Sequence, residues 1–444
     1  MGAKSMKETI AEVLRFVEEN DVKFIRLVFC DIFGTQKNIS ILPGELPRAF
    51  EKGISFDASA VRGFMHVDES DLFVVPDAAT LSIMPWRPSQ GRVIRFFCDV
   101  KYPDGAPFEG NARSLLQRAA RQAESMGYAC KIGSECEFYL FETDEKGYPT
   151  NIPHDHAGYC DIAPKDRGEN VRREICLSLE QMGIRPESSH HEQGPGQNEI
   201  DFKYSDALSA ADNLVTFRAV VRNIAARNGL YATFLPKPLP GKSGSGLHIN
   251  LSLFKDGVNL FKTSGTEHSQ EAESFMAGIL ERIPEITLFL NPLPNSYRRF
   301  GEFEAPKYVT WSHQNRSQLI RIPASEGENS RMELRSPDPS CNAHLAFALL
   351  LMAGLDGIKR GATLCPPSDF DLYRASGEQL RDIRTLPKTL GEAIRLAADS
   401  DFVKAVVPKR LLDNYCKEKQ AQWERYVKVE NQDQFDHDFY FVNI

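Results

Sequence analysis

Glu135 and Glu137 stand two apart in the run GSECEFYLF (133–141), whose apolar and aromatic residues Phe138, Tyr139, Leu140 and Phe141 read as a β-strand. Side chains two apart on a strand share a face. Two carboxylates would then sit about 7 Å apart on one side of a sheet, a repulsion of about 2 kcal/mol at an effective dielectric of about 20. Three other stretches carry the same anomaly. HHEQGPGQNEIDF (190–202) offers Glu192 and Glu199 across a Gly-Pro-Gly turn. GSGLHINLSLF (244–254) sets His248, Asn250 and Ser252 on one face and Leu247, Ile249, Leu251 and Leu253 on the other. RMELRSPDP (331–339) places Arg331, Glu333 and Arg335 opposite Met332 and Leu334.

A charged sheet face can simply be solvated, and for any one strand that is the plain reading. Taken together the four faces carry selected chemistry: oxygen donors and one imidazole, the ligand class of Mg²⁺ or Mn²⁺. Five glutamates and one histidine exceed what one ion needs once water and substrate also bind. A two-metal site is the economical way to offset the repulsion, because dications would sit between the carboxylates.

Arginines are the other half. SYRRFGEFEAP and NRSQLIRIP supply Arg298, Arg299, Arg316 and Arg321, which join Arg331 and Arg335. Guanidinium forks match carboxylate and phosphate oxygens, although any single one of them can equally serve a surface ion pair. Metal ligands and arginines together suggest a polyanionic substrate, of which a nucleoside triphosphate is the commonest. There is no P-loop: GKSGSG contains Gly-Lys-Ser, but the position that needs glycine holds Pro236. GKSGSG reads instead as a loop whose backbone comes close to a ligand.

Elements must position these groups. A helix is expected over 6–20, with Ile10, Val13, Leu14 and Val17 on one side. Strands are expected at 24–34, at 37–42 as its hairpin partner, at 72–76 and at 92–100, giving a small α+β unit. The Pro/Gly/Asp-rich YPDGAPFEG (102–110) is the best boundary. A helix from Asn111 as N-cap to Gly127 at its C-terminal end comes next. Strands and helices then alternate to about 360, and helices at 386–398, 400–406 and 409–427 close the chain. HLAFALLLMAGLDGI (344–358) reads as a buried helix closed by Asp356, too short for a membrane span.

The 444 residues suggest more than one domain. A net charge of −8 argues against nucleic acid as a partner, and no basic tract suggests an anionic membrane. Nine scattered cysteines, an odd count with no CxxC, fit free thiols in a reducing cytoplasm. The N-terminus lacks a signal-peptide core, and Gly2 with Ser5 only approximates a myristoylation pattern, Ser5 being one position early.

With these blocks in fixed order, preceded by FDASAVRGF (56–64), the sequence resembles type I glutamine synthetases over nearly its whole length. The resemblance implies an α+β fold: an N-terminal β-grasp domain (1–103), then a larger catalytic domain (104–444) with a curved antiparallel sheet. It implies a cytoplasmic homo-dodecamer of two hexameric rings, with each active site completed by a neighbour's N-terminal domain. It implies glutamate, ammonium and ATP as substrates, Mg²⁺ or Mn²⁺ as cofactor at two or more ions per site, and γ-glutamyl phosphate as intermediate.

Carried over by motif, Glu137, Glu192 and Glu199 would hold one metal and Glu135, His248 and Glu333 the other. Ser243, Gly244, Arg299, Glu304, Arg316 and Arg335 would bind the amino-acid substrate. Glu187, Asn250, Ser252, Arg316, Arg321 and Arg331 would meet ATP. Asp57, Glu304 and Arg316 would be catalytic: Asp57 holds and deprotonates ammonium, Glu304 sits on a flap, and Arg316 faces the transferring phosphoryl group.

The sequence also departs from the family. Ser243 replaces the usual Asn, the flap FGEFEAP is one residue short, and Asp57-Ala58-Ser59-Ala60 replaces Asp-Gly-Ser-Ser. RDIRTLPKTL (381–390) has no tyrosine to adenylylate. The retained Asp57 and Glu304 favour ammonia over the runner-up acceptor, a small amine or polyamine. A non-catalytic relative would be expected to have lost metal ligands, and all six are present.

Overall fold

The computed structural model describes residues 6–87, 90–262, 268–325 and 327–444; Gly2 and Ser5 lie outside them. Among the described residues the strands form two sheets. In the first, Val22–Cys30 runs parallel to Arg92–Lys101 and antiparallel to Gln36–Ile41, while Asp71–Pro76 and then Ile54–Asp57 extend the other side. The strand expected at 24–34 therefore begins and ends earlier, because Asp31 turns the chain by accepting from the N–H groups of Phe33 and Thr35. The helix Met6–Glu19 buries Val13 and Val17.

The turn after Arg92–Lys101 leads into helix Ala112–Ser125. Asn111 caps it through a side-chain bond from the Arg113 N–H, and Gly127 lies just past its end with φ +82°. Arg113, almost fully buried, ties the first sheet to helix Ala207–Arg227: its guanidinium pairs with Asp77 and Asp99, both at 2.8 Å, and with Asp212 of that helix at 3.0 Å.

The second sheet is built on Tyr128–Thr143, which pairs antiparallel with Leu247–Lys255 on one side and Gln197–Phe202 on the other. Pro186–His191 flanks the latter strand and Met332–Leu334 the former. The sheet is antiparallel except at its far edge, where Trp311–His313 and Ile320–Ile322 run parallel. Its apolar face carries Ile132, Cys136, Phe138, Ile200, Leu247, Ile249 and Leu251, none with any exposure. Phe138 and Phe202 meet Phe217 of helix Ala207–Arg227 at ring distances of 6.0 and 4.9 Å. Each such side chain contributes about 1.5–3 kcal/mol on burial, so this face fixes which way the opposite, charged face points.

Helix Ala343–Arg360 is buried along most of its length, as its sequence implies, but Asp356 does not close it. Asp356 lies on the solvent side and accepts from Arg282 and Arg360, each at 3.1 Å. The helix runs to Gly361, whose φ of +60° supplies the left-handed cap. Of the C-terminal helices, Asp401–Val406 and Lys409–Tyr426 lie where expected, while the one expected from 386 begins at Leu390, after Pro387 and the N-cap Thr389.

Candidate active site

Register alone brings the acidic residues together. Glu135 stands opposite His248 on one neighbouring strand and Asp201 on the other. Two residues on, Glu137 stands opposite Glu199, which itself faces His190. Residues directly opposite in an antiparallel pair lie about 5 Å apart. Two rows of titratable side chains thus cross the sheet on its charged face. They floor a cavity of about 970 Å³, walled by Ser243, Gly244, Arg299, Glu304, Arg316, Arg321, Arg331 and Arg335.

The hydrogen bonds show crowded like charges seeking partners. His248 Nδ1 lies 3.1 Å from Glu135 and 3.6 Å from Glu333. Burial pushes the Glu135 carboxyl up, yet bonds from His248 and Asn250 hold it at about 2. Burial and the neighbouring Glu192 push Glu137 up to about 7, although its Oε2 accepts from Gln197 Nε2 at 2.8 Å and from the Gly246 N–H at 3.0 Å. Burial pushes Glu199 to about 8. His190 lies 3.1 Å from Glu192 and 3.2 Å from Glu199, and these contacts push it up to about 10. Glu333 is wholly buried between Arg321 and Arg335, at 2.5 and 2.6 Å.

Two sets of donors fit a divalent cation: Glu135, Glu199 and His248, and His190, Glu192 and Glu199. Within each set the ligand atoms lie within 4.8 Å of one another. The chemistry is oxygen-rich with imidazole, as Mg²⁺ or Mn²⁺ requires. The grouping differs from the motif-based one. Glu199 belongs to both sets, while Glu137 and Glu333 are engaged by Gln197 and by arginines. A third set, Asp155, Asp166 and His191, lies outside this cavity. Asp155 accepts from three backbone N–H groups and from His191, and Asp166 is gripped by Arg172, so that cluster is already satisfied internally.

The arginines offer unmet donors to an anion. Arg299 is buried and donates through Nη1 to the carbonyls of Ser336 and Pro337, leaving Nε without a partner. Arg335 likewise has an unpartnered Nε. Gly244 is packed so closely that a Cβ would lie 2.6 Å from both Arg299 Cγ and the Pro236 carbonyl, which explains glycine there. Tyr139 donates to the Ser243 carbonyl at 2.5 Å and fixes that loop. Glu304 is half exposed, 3.9 Å from Arg335, and both it and Phe303 carry positive φ, +67° and +45°. The flap is anchored where Lys237 pairs with Glu302 at 2.9 Å and lies over the Phe303 ring.

Not every expected residue faces the cavity. Asn250 is not in the lining; it donates to Glu135 at 2.8 Å and accepts from Arg331 at 2.9 Å. Ser252 donates to the Ser330 carbonyl. Glu187 is exposed on Pro186–His191 and lies outside the lining. Asp57 ends the outer strand of the first sheet, exposed, accepting from the N–H and hydroxyl of Ser59; it too lies outside the cavity of its own chain. His190, Asp201, Tyr159 and Gln197 were not expected. The same alternation that linked Glu135 to Glu137 links His190 to Glu192 and Glu199 to Asp201, so the signal for two of them was present.

With this geometry in view, the comparisons are consistent with one another. The family model described as "Glutamine synthetase, beta-Grasp domain" matches residues 21–103, and "Glutamine synthetase, catalytic domain" matches 109–438. The chain is similar to the glutamine synthetase of Clostridium saccharobutylicum, 47% identical over 95% of this chain and 96% of the relative. It is 46% identical to that of Methanosarcina mazei over 95% of each. A solved structure described as a GmaS/ADP complex superposes with a TM-score of 0.86 at 29% identity, covering 96% of this chain and 99% of the other.

Proposed function

The chain belongs to the glutamine synthetase family, with the N-terminal β-grasp and larger catalytic part that this entails, and on that premise we propose how its residues divide the work. It is an enzyme, a ligase that makes glutamine from glutamate and ammonia at the expense of ATP, with a divalent metal. The observation that carries the assignment to residues is the single cavity in which register gathers six titratable floor residues beneath buried arginines with unmet donors.

In this reading Glu135, Glu199 and His248, with Glu137, Glu192 and His190 beside them, hold two Mg²⁺ or Mn²⁺ ions, and Glu333 joins once substrate draws Arg335 away. When bound, the ions would neutralise charge on the phosphoryl oxygens. Arg299, Arg335, Ser243 and Gly244 take the carboxylates and amine of glutamate. Its γ-carboxylate attacks the terminal phosphoryl group, whose spreading charge Arg316 and Arg321 stabilise. Arg331, which donates to Asn250, borders the nucleotide. The acyl phosphate hydrolyses readily, so Glu304 and its flap exclude water. Asp57 holds ammonium and accepts its proton.

The exposure of Asp57 outside its own cavity supports a neighbour's first sheet completing each site, as in a dodecamer of two rings. The two sheets and the turn at Tyr102–Gly105 support division at about residue 103. No described helix is long and apolar enough to cross a membrane, and a cytoplasmic location is part of the proposal. An acceptor panel, ammonium against methylamine and polyamines with phosphate release as readout, tests the reading. Ammonium should give the highest kcat/KM; a higher value for any amine overturns the assignment of ammonia.

A further inference from the structure

A second cavity, of about 310 Å³, opens between the turn after Val22–Cys30, helix Ala207–Arg227, helix Lys409–Tyr426 and the chain's last residues. Its size is at the low end for ligand sites, about 300–1,000 Å³. Three of its lining residues are cationic, Arg218, Arg222 and Lys419, and no carboxylate side chain lines it. Lys419 is 3% exposed and Arg218 7%. Neither has a carboxylate partner. Lys419 makes one long hydrogen bond, 3.4 Å to Gln422 Oε1, and lies over the Phe33 and Tyr415 rings at 4.9 and 5.6 Å. Arg218 donates through Nη1 to the carbonyls of Pro339 and Cys341, and its Nη2 has no partner. Arg222, exposed, reaches an α-carboxylate oxygen of the last residue, Ile444, at 2.6 Å, so the cations left without a carboxylate are the two inner ones.

The nearby acids are engaged elsewhere. Asp31 accepts from two N–H groups of its own turn and sits 3.9 Å from Lys37. Asp338 accepts from Ser340 and Asn291, and Glu418 pairs with Arg62. A buried ammonium without a counter-charge is costly, several kcal/mol even after relaxation. Burial accordingly pushes Lys419 down to about 7. The cost is offset if the counter-charge is a ligand.

We propose that this cavity binds a small oxyanion, with Lys419 and Arg218 as its inner charges and Arg222 at its mouth. Phosphate and small carboxylates share the chemistry; phosphate, the reaction's own product, is one source. The volume is too small for a nucleotide with its polyphosphate. Such a site would be separate from the catalytic cavity, with which it shares no lining residue.

The test compares the intact oligomer with its Lys419→Met variant. Met fills nearly the same space and removes the buried cation, so folding should survive and glutamine synthesis in chloride buffer should be unchanged. Thermal unfolding is followed against phosphate and against succinate, with chloride at matched ionic strength as reference. Binding in the catalytic cavity affects both proteins alike; the difference between them reports this pocket. The apparent affinity of the variant should be roughly tenfold weaker for at least one anion, as loss of one charge-assisted contact implies. A response to phosphate alone, or to succinate alone, identifies the source. Selenate soaked into wild-type crystals should give an anomalous peak beside Lys419. Equal responses of the two proteins with no such peak would overturn the proposal, as would a neighbouring subunit's carboxylate filling the pocket.

Discussion

Glu199→Gln separates the cost of crowding charges from the use made of it. Glu199 belongs to both donor sets, so its carboxylate lies within 4.8 Å of Glu135 and of Glu192. Burial pushes that carboxyl up to about 8, so folding at neutral pH must protonate it, a cost on the order of 2 kcal/mol that a neutral amide avoids. The amide keeps the size of the side chain and can still accept from His190 and donate to Glu192. Without metal, the variant should therefore be more stable by about 2 kcal/mol, a rise in Tm of about 2 °C for a chain of this length. With metal the order reverses. A lost carboxylate ligand should weaken binding by about a hundredfold, and a hundredfold change removes about 2.7 kcal/mol of ligand-linked stabilisation at saturation. The assay is thermal unfolding in EDTA and in saturating Mn²⁺, with calorimetric titration of the metal. A variant less stable than wild type in EDTA, yet equally stabilised by Mn²⁺, would refute the reasoning.

Asp57→Ala should leave glutamate-dependent formation of acyl phosphate largely intact while amide formation falls by about 10²–10⁴, the usual worth of a positioned base; equal loss of both half-reactions would contradict its role. Gly246→Ala adds a Cβ 3.1 Å from Arg299 Nη2 and 3.3 Å from both Glu137 Oε1 and His248 Nε2. It should raise the KM for glutamate about tenfold or more by displacing those groups, with little change in Tm, because small misplacements at a reacting centre are expensive; an unchanged KM would show that the three groups can yield. Asp155→Asn tests the satisfied cluster. Burial pushes Asp155 up, but His191 and backbone N–H groups hold it well below the ordinary carboxylate range. A depressed carboxyl contributes stability above its unfolded pKa near 4 and loses it as pH falls, so wild type should show an acid limb below pH about 4 that is shallower in the variant, which should also be about 3 kcal/mol less stable at pH 7. Chemical denaturation across pH reads both.

Much of this was legible in the sequence. Period-two alternation named the charged face of each strand, and the same rule applied to HHEQGPGQNEIDF would have added His190 and Asp201. It could not say which strands are neighbours. Only the register places Glu135 opposite His248 rather than opposite another residue of that face, and so decides that Glu199, not Glu137, is common to both donor sets. Asn250 and Ser252 share a face with His248, yet one supports Glu135 and the other holds the Ser330 carbonyl, contacts that depend on distant segments the alternation does not name. Asp356 misleads for a physical reason: one acid on the solvent side of an apolar helix satisfies itself with arginines and does not interrupt the backbone. The buried Lys419 gives no local signal, since its helix is amphipathic in the ordinary way and the rest of the cavity is made by segments distant in the chain.

Every assigned role depends on metal in the large cavity. Crystals grown with Mn²⁺ and a non-hydrolysable ATP analogue, measured for manganese anomalous scattering, should show two peaks on the charged face of the Tyr128–Thr143 sheet, one touching Glu135 and His248 and one touching Glu192, with Glu199 beside both. An empty floor at saturating Mn²⁺, or peaks only at the Asp155, Asp166 and His191 cluster, would contradict it.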